Sequence, residues 1–202
     1  MATTIYGVSG SRAIRSLWAI EETGTEYTHV PTHFFKDSKT ADYLAINPNG
    51  RIPALVDGDT KLFESMSINL YLTSKYAPEL HPTDDVDLAK AMQWSVWGIS
   101  EIEPLQMQIV VQNFFTDGNP DQGIIDNASE QLDRPLQVLD THLAGADYLL
   151  GGSFSVADLN HPEASTAKLG IGAALAFGTE SEAQHEIELL VTAPSIQLSG
   201  AP

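Results

Sequence analysis

Apolar residues in the N-terminal part of the chain switch between strand-like runs and helical spacing. Residues 3–8 are rich in β-branched and aromatic side chains, which predicts a short buried strand. The small polar residues 9–11 interrupt this run, and apolar residues at helical spacing follow them. Gly24 marks the expected helix end, because glycine is typical of the position just past a C-terminus. A second strand is predicted over residues 26–30.

The pattern then changes from a turn-rich segment to a hairpin and a helix. The apolar runs 54–56 and 61–63 flank Asp57-Gly58-Asp59, and Asp-Gly between two apolar runs predicts a β-hairpin. Helical spacing returns over residues 65–76. The order β-α-β followed by β-β-α predicts a small mixed sheet with helices packed on it.

The rest of the chain is helical in pattern. Two prolines and a polar cluster predict a linker over residues 78–87 and a helix start at its end. Apolar residues within 88–102 can share one helical face, Pro104 is expected to kink this stretch, and 125–143 predicts a long amphipathic helix. The predicted organisation is an α/β domain over 1–77 and an all-helical domain over 88–202.

Composition and charge narrow the classes of function. Ten Lys and Arg against 27 Asp and Glu give a net charge of −17, which disfavours binding to nucleic acids and anionic membranes. No apolar run reaches the roughly 20 residues that span a bilayer, and we expect no secretory signal at the N-terminus. The chain has no cysteine, which excludes disulfides, a thiolate nucleophile and a CxxC redox site. The six histidines lack helical metal-ligand spacing, so we expect no metal.

Two segments carry the strongest chemical signals. In residues 47–55 a turn-rich run leads into Pro53, and an X–Pro bond that is cis would turn the backbone of Ile52 outward toward an extended peptide-like ligand. Glu64 and Ser65 stand where a strand gives way to a helix, so a hydroxyl and open N–H groups could bind a carboxylate while Glu64 holds an ammonium. An amino-acid head group carries both charges. The alternative interpretation is a plain proline turn and a plain serine N-cap.

These segments resemble known sequences. Residues 11–18 resemble the first helix of bacterial cytosolic glutathione transferases, residues 47–55 (NPNGRIPAL) their cis-proline loop, and residues 63–72 (FESMSINLYL) their Glu-Ser motif. Residues 148–158 also look like that family, and Ser155 with Asp158 forms a capping-box pattern. The resemblance implies a thioredoxin-like N-terminal domain followed by an all-α domain.

The same resemblance implies how glutathione would be held as co-substrate. Ile52 would form main-chain hydrogen bonds to the cysteinyl part, with the proline after it holding that geometry. Glu64 and Ser65 would bind the γ-glutamyl ammonium and carboxylate. Arg51 or Lys39 could meet the glycyl carboxylate, although Arg51 is equally well explained as a solvated surface charge.

The group that activates the thiol is expected in the turn after the first strand. A free thiol has a pKa of about 8.5, so a hydroxyl donor near the sulfur and a helix N-terminus behind it would favour the thiolate. Ser11 is preferred because it lies four residues before Arg15, as in the serine-type members, and near a predicted helix start. Ser9 and Tyr6 remain alternatives, and Ser11 could simply cap the helix.

The resemblance implies a cytoplasmic homodimer that joins the glutathione thiolate to an electrophilic substrate. A non-catalytic glutathione-binding or protein-interaction module on the same fold is the alternative. A thiol-disulfide oxidoreductase is argued against directly by the lack of cysteine. After Asn160 the family pattern fades, because Pro162 should break a helix that continues in the family, and residues 161–202 are expected to depart from it.

Overall fold

A computed structural model describes residues 3–161 of the chain. These residues form two compact units, one over 3–81 and one over 82–161. The predicted linker 78–87 contains a short 3-10 turn, Pro78–Leu80, and its last residues already belong to a helix.

The first unit is built on a four-stranded mixed sheet in the order β2-β1-β3-β4. β1 runs parallel to β2 and antiparallel to β3, and β3 and β4 form the predicted hairpin. The mixed sheet expected from the sequence is therefore present. The strands are β1 (Thr3–Tyr6), β2 (Tyr27–Val30), β3 (Ala54–Asp57) and β4 (Thr60–Phe63).

The helices of the first unit are α1 (Ala13–Glu22), α2 (Ala41–Leu44) and α3 (Ser65–Tyr76). α1 and α3 pack against each other, and a 3-10 turn, Asp37–Lys39, precedes α2. Their packing with the sheet buries a core that excludes water almost completely, and this burial is the main source of stability. The core includes Ile5, Ile20, Leu55, Ile68 and Leu72.

A buried carboxylate joins the hairpin to the C-terminal half of α3. Oδ2 of Asp57 accepts hydrogen bonds from the Tyr71 hydroxyl at 2.8 Å, the Lys75 ammonium at 2.7 Å and the Tyr76 hydroxyl at 2.6 Å. Burial alone would raise the pKa of Asp57, but these three donors outweigh it and lower the pKa to about 2. The network holds the ionised carboxylate and ties the last two turns of α3 to the sheet.

The second unit is helical, as its periodicity predicts. The long helices α5 and α6 pack together, and the short α7 packs on α4. None of the helices among residues 3–161 is long and apolar enough to cross a membrane. The helices are α4 (Asp85–Trp97), α5 (Glu103–Phe114), α6 (Gln122–Leu143) and α7 (Val156–Asn160).

α4 begins at Asp85, inside the segment predicted to contain a linker and a helix start. The Asp84 carboxylate caps the helix by accepting the N–H groups of Val86 and Asp87. A π-helical turn over Gly98–Ile102 precedes the proline that was expected to kink this stretch. Pro104 stands in the first turn of α5, a position that proline tolerates.

The predicted capping box at the start of α7 is present. The Asp158 carboxylate accepts the Ser155 N–H at 3.0 Å and the Leu149 N–H at 2.9 Å. α7 ends at Asn160, and the fully buried His161 ring bonds the Trp94 carbonyl at 2.7 Å. The helix therefore ends two residues before Pro162, as the proline predicts. Pro162 itself and the rest of 161–202 beyond His161 lie outside the described residues.

Candidate active site

The turn after β1 contains the residue preferred as the thiol activator. The Ser11 hydroxyl donates to the Val8 carbonyl at 2.7 Å and accepts the Ala13 N–H at 3.1 Å. α1 begins at Ala13, and Arg12 occupies its cap position without a side-chain capping bond. The Ser11 hydroxyl thus acts as both donor and acceptor in the turn that precedes α1.

The two alternative activators lie in different surroundings. Ser9 is only 6% exposed, and its hydroxyl makes no hydrogen bond within the described part of the chain. Its carbonyl accepts the Ser11 N–H at 2.7 Å, so the two serines share one tight turn. Tyr6 lies in β1 and packs edge-on against Tyr43, with 5.9 Å between ring centroids. Ser9 therefore has a hydroxyl without a partner among residues 3–161, whereas the half-buried Tyr6 ring is packed against Tyr43.

Gly7 brings this turn against the proline loop. A Cβ atom on Gly7 would lie 2.4 Å from the Ala13 Cβ and 3.7 Å from both the Ile52 Cβ and the Pro53 Cα. Its φ of +150° is also one that side-chain-bearing residues rarely adopt. Only glycine allows the end of β1, the start of α1 and the proline loop to approach so closely.

The proline loop has the geometry that its sequence suggests. The Ile52–Pro53 peptide bond is cis. The carbonyl of Arg51, just before it, accepts the Tyr43 hydroxyl at 2.6 Å and the Asn47 side-chain amide at 2.7 Å. The segment that would face a peptide-like ligand is thus held from behind by two buried side chains.

Two cations lie at the same loop. The Lys39 ammonium donates to the Gly50 carbonyl, and the neighbouring Arg51 side chain is exposed. Gly50 has a φ of +58°, and a Cβ there would lie 3.0 Å from the Ser38 carbonyl. Because Lys39 and Arg51 both border this loop, the structure keeps both as candidates for an anionic ligand group.

The start of α3 is open to an anion. Ser65 is the first residue of the helix and 6% exposed, so it does not occupy the N-cap position of the alternative interpretation. Glu64 takes the cap position with a φ of +70° and no side-chain capping bond. A non-glycine residue in this region costs on the order of 1–3 kcal/mol and points to a functional constraint. The Ser65 hydroxyl makes no hydrogen bond to another residue among 3–161.

A direct contact connects the two helix starts. The Ser16 hydroxyl of α1 donates to the Ser65 carbonyl at 3.4 Å, and α1 packs along α3. The serine turn, the proline loop and the start of α3 are therefore gathered at one end of the first unit. Two helix N-termini and open backbone donors there favour an anionic, peptide-like ligand.

Sequence reasoning missed Tyr43 and Asn47. Asn47 was visible as part of an Asn-Pro-Asn-Gly turn, in which an asparagine side chain commonly bonds the backbone two residues on. It does so here, because its Oδ1 accepts the Asn49 N–H at 3.0 Å. Tyr43 gave no such signal. No group of three or more metal-liganding side chains occurs between residues 3 and 161.

Comparison with known families places both parts of the chain. The family model described as glutathione S-transferase, N-terminal domain, matches residues 1–74. The model described as glutathione S-transferase, C-terminal domain, matches residues 102–184. The second match includes residues 161–184, where the sequence was expected to depart from the family.

Curated relatives agree with these matches. Glutathione S-transferase 3 of Zea mays is 39% identical over 169 residues, which cover 78% of this chain and 74% of that protein. Probable glutathione S-transferase GSTF2 of Oryza sativa subsp. japonica is 36% identical, with 82% and 80% covered.

Solved structures show the same fold with ligands. The theta class enzyme of Xanthomonas axonopodis pv. citri, with glutathione bound, aligns with a TM-score of 0.78 at 30% identity, covering 99% of this chain and 98% of that one. Maize glutathione S-transferase I, in complex with an atrazine glutathione conjugate, gives 0.76 at 30% identity, with 98% and 95% covered. The thioredoxin-like and all-α fold prediction is confirmed, and the chain belongs to the glutathione S-transferase family.

Proposed function

We propose that the first unit holds glutathione across the proline loop, with its γ-glutamyl head at the start of α3. The chain is a glutathione transferase, which joins the thiol of glutathione to an electrophilic substrate. The single observation that supports the binding mode is the open start of α3, where the buried Ser65 hydroxyl makes no hydrogen bond to any of the described residues.

The γ-glutamyl head matches this helix start in charge. Its carboxylate would accept the Ser65 hydroxyl and the first N–H groups of α3, which have no partner inside the helix. Its ammonium would pair with the carboxylate of Glu64, which occupies the N-cap position of α3 with a left-handed backbone conformation. Glutathione is the co-substrate, and the proposed chemistry uses no metal.

The middle and the far end of glutathione would lie along the proline loop. The main chain of Ile52 would bond the cysteinyl part, and the cis bond to Pro53 would hold Ile52 in that orientation. The glycyl carboxylate would be met by Arg51 or Lys39, the two cations at this loop.

Ser11 is the proposed thiol activator. Its hydroxyl already accepts the Ala13 N–H, and its hydrogen points to the Val8 carbonyl. To donate to a sulfur, the hydroxyl must rotate and release Val8 while it keeps its bond from Ala13. Ser9 needs no such exchange, so it stays the first alternative.

The reaction follows from a stabilised thiolate. The glutathione thiol releases its proton to water, and the sulfur then uses an electron pair to form a bond to the electrophilic carbon. With a chlorinated aromatic substrate, the carbon–chlorine bond breaks and chloride leaves with its electron pair. The protein supplies positioning and a donor to the charged sulfur, and it forms no covalent bond itself.

The substrate class and assembly extend this proposal. The maize relative solved with an atrazine glutathione conjugate suggests chlorinated heteroaromatic compounds as substrates. We further propose a two-fold homodimer in the cytoplasm. Sedimentation should show a dimer at micromolar concentration, and a monomer alone would contradict the proposed assembly.

Turnover tests the catalytic proposal. Purified protein should be retained on immobilised glutathione and should convert chlorodinitrobenzene with glutathione to the coloured conjugate. Retention without turnover of this substrate or of atrazine would instead support the glutathione-binding module. Failure of both retention and turnover would contradict the proposed function altogether.

A further inference from the structure

We infer that Tyr43 and Asn47 are positioning residues for glutathione: by holding the Arg51 carbonyl, they orient the Ile52 N–H toward the ligand. The inference rests on the proposed binding of glutathione along the proline loop. It assigns a role in ligand binding to two buried side chains that bond the loop backbone.

The inference rests on two hydrogen bonds from buried side chains to one carbonyl oxygen. The Arg51 carbonyl accepts the Tyr43 hydroxyl at 2.6 Å and the Asn47 amide at 2.7 Å. Tyr43 is 4% exposed and Asn47 2%. A carbonyl oxygen has two lone pairs, and these two donors occupy both. The orientation of the Arg51 carbonyl is therefore fixed.

Peptide geometry transmits this constraint to Ile52. The Arg51 carbonyl and the Ile52 N–H belong to one peptide unit, and among the described residues the cis bond is the next one, Ile52–Pro53. In a planar trans unit the C=O and N–H point in opposite directions. With the carbonyl fixed toward Tyr43 and Asn47, the N–H must point away from them.

The Ile52 N–H is available for a ligand. It donates no hydrogen bond to any residue within 3–161. Two neighbouring donors of the loop are used internally, because the Asn49 N–H bonds the Asn47 side chain and the Gly50 N–H bonds the Asn47 carbonyl at 3.0 Å. An open N–H behind a rigid carbonyl is what the carbonyl of an extended peptide needs for pairing.

The donors keep their protons under all working conditions. Burial raises the pKa of Tyr43, the neighbouring Asn47 side-chain amide lowers it, and the neighbouring Tyr6 raises it. The resulting pKa is about 12. An asparagine amide does not titrate at all. The Arg51 carbonyl is therefore held across the pH range in which a glutathione transferase works.

Tyr43→Phe tests the inference with the least disturbance. It keeps the aromatic ring in the core and removes only the hydroxyl that bonds Arg51. Asn47→Asp is the second variant, since its carboxylate still accepts the Asn49 N–H but cannot donate to Arg51. Asn49→Ala is the matched control, because the Asn49 side chain is exposed and lies in the same loop.

The experiment combines calorimetry, kinetics and amide NMR. In Tyr43→Phe we expect the Kd for glutathione to rise about 5- to 30-fold, as for one misdirected hydrogen bond. The kcat at saturating glutathione should stay within about two-fold, because the thiol-activating turn is untouched. The Ile52 amide resonance should move strongly on adding glutathione to the wild type, and much less in the variant.

Different outcomes would overturn the role of Tyr43 and Asn47 and the proposed binding of glutathione. A variant that binds glutathione like the wild type, with the same shift of the Ile52 amide, would overturn the inference. So would a loss of affinity equal to that of Asn49→Ala. If Tyr43→Phe does not fold, the same comparison applies to Asn47→Asp. A wild type that does not bind glutathione would instead overturn the proposed function.

Discussion

Replacement of Ser11 by alanine separates the two roles that its hydroxyl could have. The substitution removes the 2.7 Å bond to the Val8 carbonyl and the acceptor for the Ala13 N–H at 3.1 Å. Each lost hydrogen bond costs about 1 kcal/mol, and loss of a capping acceptor costs about 0.5–2 kcal/mol. Ser11→Ala should therefore lower the free energy of unfolding by about 1–3 kcal/mol.

The effect on the bound thiol is expected to be separate and of similar size. Losing one donor to the charged sulfur costs the thiolate roughly 1–2 kcal/mol, and one pKa unit equals 1.36 kcal/mol. The pKa of bound glutathione should therefore rise by about one unit. Turnover at neutral pH should fall by about 5- to 30-fold, the factor to which 1–2 kcal/mol corresponds, while glutathione affinity changes only a few fold.

The assay follows thiolate absorbance in the ultraviolet while the pH of the glutathione complex is varied. Thermal melting of each variant is measured beside it. Ser9→Ala and Tyr6→Phe test the alternatives, and Ser74→Ala is a matched control because Ser74 is an exposed serine late in α3.

One result would refute the assignment of Ser11. If Ser11→Ala melts lower but its bound thiol titrates like the wild type, then Ser11 only shapes the start of α1. A raised thiol pKa in Ser9→Ala alone would move the catalytic role to Ser9. If no variant shifts the thiol, backbone N–H groups and the dipole of α1 stabilise the thiolate without a side chain.

Two further substitutions test the framework of the site. Gly7→Ala should lower the free energy of unfolding by about 2 kcal/mol or more in chemical denaturation, because its Cβ would lie 2.4 Å from that of Ala13 at a φ of +150°. Gly58→Ala is the control for a positive φ alone, because its Cβ would meet nothing within 4 Å. Equal losses of stability in the two variants would contradict the proposed clash. Asp57→Asn should lower the free energy of unfolding by about 1–2 kcal/mol at pH 7. The fall in the pKa of Asp57 from 3.8 to about 2 corresponds to roughly 2.5 kcal/mol, and solvent screening at the exposed partner Lys75 reduces this value. Because the folded pKa is the lower one, this advantage of the wild type is present above about pH 4 and should vanish as the pH falls toward 2; a difference in stability that does not depend on pH in this window would show that charge is not its cause.

Local signals explain how much of the fold was predictable. Asp57-Gly58-Asp59 forms a turn from its own backbone preferences, and the hairpin and α3 appear where the pattern predicts them. The capping box of Ser155 and Asp158 likewise depends on residues three apart. In each case the interaction is short in sequence, so the sequence alone contains the relevant information.

The missed features depend on tertiary contacts or on loop and turn conformation, which residue type and periodicity do not reveal. The π-helical turn at Gly98 faces the ring of His161, and a Cβ on Gly98 would lie 2.1 Å from its Cε1, a contact that periodicity does not reveal. The role of Tyr43 depends on where the chain brings the Arg51 carbonyl. The commitment of the Ser11 hydroxyl to Val8 is local, but it depends on the turn conformation rather than on residue type.

Calorimetric titration of glutathione into the wild type and Ser65→Ala tests the central claim most directly. The wild type should bind one glutathione per chain. Ser65→Ala should bind it with an affinity weaker by about 1–3 kcal/mol, because the γ-glutamyl carboxylate loses a hydrogen bond at a buried position. Ser74→Ala should bind like the wild type. An unchanged dissociation constant in Ser65→Ala would contradict the claim that the start of α3 holds the glutathione head group.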